Sequence, residues 1–271
     1  MRILNHRLVS DARPIEQASS PNQSAGLTPE YLVLHFTAGA SFASSKAWLT
    51  NPSAHASAHL LVGRGGELAQ LVPFNRKAWH AGESRWTGRV GLNAWSIGIE
   101  FDNAGPLQRV GTTWKSWFGS TVSDEEVLVA PHKHGGEPKG WQVFTEAQLE
   151  AGLQAVVALH GRYGFKDILG HEDIAPGRKQ DPGPAFPLAT FRARVLGRQD
   201  EGLQTRFTTT HLHIRSGPGT QHPTLPTSPL APGTEVEVVG GAPPWAEVIV
   251  ATGDPGVAPV SGWVHSAYLR A

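Results

Sequence analysis

Residues 31–39 read Tyr31-Leu-Val-Leu-His-Phe-Thr-Ala-Gly39. A short apolar run closed by a glycine turn is the pattern of a strand buried in a sheet. His35 stands near its end. A single histidine there is ordinarily a hydrogen-bonded core residue. The other reading is a ligand, because sites in open α/β sheets lie beyond the carboxyl ends of their strands.

Working outward, Ala58-His-Leu-Leu-Val62 and Leu68-Ala-Gln-Leu-Val72 flank Gly63-Arg-Gly-Gly66 and read as a hairpin. Ser96-Ile-Gly-Ile-Glu-Phe101 alternates, with Ile97, Ile99 and Phe101 on one face and Ser96, Gly98 and Glu100 on the other. Thr145-Glu-Ala-Gln148 has the form of a capping box, after which Leu149, Leu153, Val156, Val157 and His160 recur at helical spacing until Gly161 and Gly164. A second helix is expected over Ser44–Leu49. Residues 103–140, rich in Gly, Lys and Trp, read as a long functional loop. Strands mixed with helices indicate an α/β domain over residues 1–198. Residues 199–206 read as a linker. From Phe207 to Ala271, strand-like pieces (208–214, 235–239, 246–250, 262–264) alternate with Pro/Gly turns and describe a small β-barrel.

Composition narrows the function classes. The formal net charge of the 271 residues is zero with His neutral, which argues against a nucleic-acid binder. The absence of cysteine excludes disulfides, thiolate metal sites and a cysteine nucleophile. The first residues lack the apolar stretch of a secretory signal, and no run approaches the ~20 apolar residues of a membrane span. The chain is therefore expected to be soluble and cytoplasmic, with export by another route as the alternative.

The chemistry concentrates in Gly170-His-Glu-Asp-Ile-Ala-Pro-Gly-Arg-Lys-Gln-Asp-Pro-Gly-Pro-Ala-Phe-Pro187. A catalytic zinc site takes about three protein ligands and keeps one position open. His171 and Asp181 can supply two from this one loop, whose prolines hold its shape. Lys179, two residues before Asp181, projects to the same side of an extended segment and can meet negative charge developing on a carbonyl oxygen. The plainer reading makes His171 a cap, Asp181 the start of a turn and Lys179 a solvated lysine. Glu100, a carboxylate in an apolar strand, is either a general base with a raised pKa or one half of a buried ion pair, for instance with Arg89 or Lys77. Both pairs of readings remain open on residue type and spacing.

Other features carry less. His171-Glu-Asp-Ile-Ala175 lacks the second histidine of a His-Glu-x-x-His protease motif. His132-Lys-His134 and His211-x-His213 have no third ligand close in sequence and read as solvated loop histidines. No Gly-x-Ser-x-Gly elbow is present.

Six ordered pieces, Leu34–Gly39, Ser57-Ala-His-Leu60, Ala78-Trp-His-Ala-Gly82, Gly91-Leu-Asn93, Ser96–Glu100 and the 171–186 loop, make residues 5–198 resemble the type 2 zinc N-acetylmuramoyl-L-alanine amidases, AmpD-like and AmiD-like branch. That family shares its fold with peptidoglycan recognition proteins. The resemblance implies a mixed central β-sheet flanked by helices. It implies zinc on His35, His171 and Asp181, Glu100 as the base acting on water, and Lys179 beside the tetrahedral intermediate. His59, His80 and Asn93 fall in matching segments and are expected to support the site or touch substrate. The implied partner is peptidoglycan or a muropeptide, and the rival reading is a receptor that binds muropeptides without cutting them. The tail, with Leu212–Gly219, Gly233–Val238, Trp245–Val248 and Gly262–Leu269, resembles a bacterial SH3-like domain, although the stretch 251–260 is longer than expected.

Overall fold

The computed structural model describes residues 1–196, 204–250 and 260–270. Its centre is a six-stranded sheet built from β1 (Glu16–Gln17), β2 (Tyr31–Phe36), β3 (Leu60–Val62), β4 (Leu68–Gln70), β5 (Ser96–Phe101) and β6 (Asp167–Gly170). The spatial order is β6-β2-β5-β3-β4-β1. β6, β2, β5 and β3 run parallel, and the β3–β4 hairpin turns antiparallel, so the sheet is mixed. β2 is buried on both faces, as its unbroken apolar run requires. Leu32 and Leu34 enter one core cluster, and Tyr31 and Val33 enter another.

Among the described residues, four α-helices accompany the sheet: α1 (Phe42–Leu49), α2 (Glu146–Tyr163), α3 (His171–Ile174) and α4 (Leu188–Leu196). α2 starts where the capping signal lies, with the Thr145 hydroxyl accepting from the Gln148 N–H, and ends at Gly164 in the left-handed region. Only half of the capping box forms. The Gln148 amide instead donates to the carbonyls of Val62 and Asp102, fastening the helix to the strand ends. Leu149, Val156 and Leu159 share a core with Ile97, Ile99 and Phe101, the apolar face of β5. Each fully buried side chain of this size stabilises the fold by about 2 kcal/mol.

Three expectations need correction. Residues 103–140 are not a loop: Pro106–Val110, Thr113–Lys115, Thr121–Val122, Val127–His132 and Gly135–Gln142 form a second, antiparallel five-stranded sheet inserted between β5 and α2. Its polar, glycine-rich composition hides an alternation that is clear in Val127–His132, where Val127, Leu128, Ala130 and His132 are buried and Val129 and Pro131 are exposed. α1 begins at Phe42, two residues before the expected Ser44, because Ser41 and Ser44 form the reciprocal cap. Nor is the expected linker free of structure to residue 206. Gln204–Thr208 is a strand, while residues 199–203 lie outside the described residues.

That strand belongs to a C-terminal five-stranded sheet with Glu235–Ala242, Trp245–Val250, Val260–His265 and Leu269–Arg270. Beyond Thr208 the expected strand to Ile214 reduces to a bridge from Leu212 to Leu230. Leu212, Ile214, Val236, Val248 and Val264 form the sheet's own apolar cluster. Of the stretch 251–260, all but Val260 lies outside the described residues. No helix among the described residues is long and apolar enough to cross a membrane.

Candidate metal centre

Parallel pairing brings the functional side chains to one level. In the ladder of β5 with β2, Glu100 stands opposite His35. In that of β6 with β2, Gly170 stands opposite Leu34, so the next residue, His171, emerges beside His35 at the carboxyl end of the strands. The loop after α3 then returns Asp181, whose carbonyl accepts from the Glu172 N–H at 2.9 Å.

His35, His171 and Asp181 are buried and converge. His35 Nδ1 lies 3.0 Å from His171 Nδ1 and 2.8 Å from Asp181 Oδ2, and His171 Nδ1 lies 3.0 Å from the same oxygen. The outer contacts of the rings fix their protons. His171 Nε2 faces the Ala81 carbonyl at 3.0 Å and must donate to it, which leaves Nδ1 a lone pair. His80 Nε2 faces the Ser96 carbonyl at 3.4 Å, and a proton there makes His80 Nδ1 the acceptor for His35 Nε2 at 3.0 Å. His35 Nδ1 is then also a lone pair. Two imidazole lone pairs and a carboxylate oxygen thus face one another with no proton to share, an arrangement that fits a bound cation. Two nitrogens and one oxygen are the donor set zinc accepts.

The electrostatics agree. Burial, reinforced by the neighbouring His171, pushes His35 down to about 4, so the ring is neutral at neutral pH. Glu100 moves the other way. The residue is half-buried, yet its Oε2 is sealed from solvent and has no hydrogen-bond partner. Burial and the nearby Asp181 charge push it up to about 8, opposed by Lys179. The ion pair with Arg89 does not form: Arg89 bonds Glu30 at 2.5 Å and lies over the Trp95 ring.

The three other residues singled out from sequence contact the protein itself. His59 accepts from the Gly98 N–H at 3.0 Å and donates to the Arg76 carbonyl at 2.9 Å, with burial holding it down to about 4. His80 packs against β5 at Gly98, where a Cβ would stand 2.4 Å from the ring. Glycine is needed there for the ring that orients His35 to fit. Asn93 Oδ1 accepts from the N–H groups of His80 and Ala81 at 2.9 and 2.7 Å, which places both the His80 ring and the carbonyl that bonds His171. Sequence reasoning overlooked Glu172 and misread its partner. His132 is buried and hydrogen-bonded to the Glu172 carboxylate, so it is not a solvated loop histidine. No local signal announces a contact spanning 40 residues.

Comparison with known proteins places this geometry in context. The pattern of the N-acetylmuramoyl-L-alanine amidase family matches residues 25–184. The chain is 36% identical over 141 residues to the 1,6-anhydro-N-acetylmuramyl-L-alanine amidase AmpD of Escherichia coli (strain K12), covering 51% of this chain and 58% of that protein. It is 33% identical over 185 residues to the N-acetylmuramoyl-L-alanine amidase AmiD of the same organism, covering 65% of this chain and 56% of that one. The matched segments thus span less than two thirds of these relatives' length. A crystal structure of an AmpD derivative superposes with a TM-score of 0.50 at 29% identity, over 72% of this chain and 99% of that one.

Proposed function

Because the chain belongs to the N-acetylmuramoyl-L-alanine amidase family, we propose that it hydrolyses the amide joining N-acetylmuramic acid, or its 1,6-anhydro form, to the L-alanine of a peptidoglycan stem peptide. The observation that carries this reading is the pairing of a three-donor cluster with a half-buried carboxylate on the neighbouring strand whose Oε2 is sealed and unpartnered.

His35, His171 and Asp181 would hold zinc. When bound there, zinc supplies a Lewis acid that acidifies water and polarises a carbonyl. Glu100 accepts a proton from the attacking water and returns it to the departing alanine nitrogen. Its sealed, unpartnered Oε2 on the strand beside His35 leaves the carboxylate free for both transfers. Lys179, close enough to Glu100 and His35 to act on both electrostatically, offers its ammonium to the oxyanion. His80 and the Ala81 carbonyl keep the two imidazoles neutral with Nδ1 directed at the cluster.

The C-terminal sheet we read as a bacterial SH3-like barrel that binds wall material. The reading is supported by its five-stranded order, its separate apolar cluster and the Gly262-Trp263 strand.

Incubation of the zinc-loaded protein, beside a chelated control, with intact sacculi and with purified anhydro-muropeptides tests the proposal. Zinc-dependent release of stem peptide, identified by mass, is the expected result. Release from sacculi makes this a wall-degrading enzyme, and release only from soluble fragments makes it a recycling one. Binding of either substrate without cleavage would mean a receptor and end the hydrolytic reading.

A further inference from the structure

The hairpin Val127–His132/Gly135–Gln142 of the inserted sheet does more than extend the fold. Its tip, His132-Lys-His134, closes on Glu172, the residue that follows His171. His132 Nδ1 accepts from the His134 N–H at 3.3 Å, so Nε2 carries the proton and donates to Glu172 Oε2 at 2.6 Å. Lys133 Nζ reaches Glu172 Oε1 at 2.9 Å and Asp173 Oδ1 at 2.5 Å. His134 Nε2 meets the Glu172 carbonyl at 3.0 Å. The Glu172 N–H, as noted, bonds the Asp181 carbonyl. Side chain, N–H and C=O of one buried residue are therefore all engaged, between His171 next to it in sequence and Asp181 nine residues on.

Two further contacts run the same way. Lys139 Nζ donates to Gln180 Oε1 at 2.5 Å beside Asp181. Trp141 seats against Gly183, where a Cβ would meet the indole at 2.9 Å and where the backbone φ of +74° itself favours glycine.

We propose that Glu172 is a positioning residue for the metal centre, and that the hairpin tip, through His132, Lys133 and His134, braces it so that His171 and Asp181 keep a fixed separation. Losing a group bonded directly to a zinc ligand typically lowers metal affinity about 10–100-fold, and Glu172 acts one step further out, through the loop backbone that carries His171 and Asp181. The inference rests on the zinc reading of the cluster, not on the identity of the substrate.

The test is zinc affinity, measured by chelator competition on the full chain, together with kcat and KM at saturating zinc. Glu172→Ala should bind zinc about 10–100-fold more weakly and lower kcat with little change in KM. Glu172→Gln, which still offers His132 an acceptor, should recover part of the affinity. Should Glu172→Ala fail to fold, His132→Leu and Lys133→Met, which leave the ligand loop unaltered, should each weaken zinc binding in the same direction. Wild-type zinc affinity in all of these variants would overturn the brace, as would a wild-type protein that holds no zinc. A wild-type protein that binds zinc but leaves muramyl-alanine amides uncut, while Glu172→Ala still loses affinity, would remove the proposed reaction and leave the brace standing.

Discussion

Glu100, on the strand beside His35, and Glu172, next in sequence to His171, are two carboxylates at the same cluster, and the fold treats them oppositely. Glu172 is saturated, with a histidine, a lysine and two main-chain hydrogen bonds. Glu100 is left with a sealed oxygen that nothing satisfies and a pKa pushed up to about 8. Burying a carboxylate without a partner costs stability. That the fold supplies Glu172 with every partner and leaves Glu100 Oε2 with none is the contrast on which the role proposed for Glu100 rests.

The largest effects should separate the two by what is lost. Truncation of Glu100 to Ala should lower turnover by ~10²–10⁴-fold, the usual worth of acid/base catalysis, while metal content stays stoichiometric by emission spectrometry. Ala at His35, His171 or Asp181 should instead abolish zinc retention and activity together. Stoichiometric metal in any of these three would remove that residue from the ligand set.

Next in size is stability. Glu172→Ala leaves the buried His132 Nε2–H without its acceptor, while Lys133 keeps Asp173, and should destabilise the metal-free protein by about 1–3 kcal/mol in denaturant titration, as orphaning a buried donor does. Glu100→Gln removes a costly ionisation and should leave stability unchanged or raise it. Equal losses in the two variants would erase the contrast.

The smallest effect is in pH. The folded metal-free protein holds the Glu100 proton up to about 8, whereas the unfolded chain releases it near 4.5. Between those values the native state binds more protons than the unfolded one, so this group's contribution to stability falls as pH rises and levels off above about 8. Thermal unfolding of wild type and Glu100→Gln across that window should show the wild type losing ground toward high pH. Parallel profiles would mean that Glu100 finds a partner in solution.

Much of the site was legible because its parts sit at local landmarks. His35 ends an apolar run, Glu100 is the one acid on the small face of an alternating strand, and His171 and Asp181 share a proline-pinned loop. What could not be read was their meeting. The pairing of Glu100 with His35 and of Gly170 with Leu34 is a matter of parallel register between strands 65 and 136 residues apart, which no window of sequence records. The inserted sheet was illegible for another reason. Its glycines and lysines mask a period of two, and the partner that buries His132 is Glu172, on another element. Glu172 itself drew notice only within His171–Ala175, a stretch that lacks the second histidine of a protease motif at Ala175.

One experiment bears most directly on the central contrast: single-turnover cleavage of anhydro-muropeptide by zinc-loaded Glu100→Gln, with bound zinc determined on the same sample. A full complement of zinc, wild-type thermal stability and cleavage slowed by ~10²-fold or more is the expected result. Cleavage at the wild-type rate would contradict the role given to Glu100, and loss of zinc would mean that its carboxylate belongs to the ligand set.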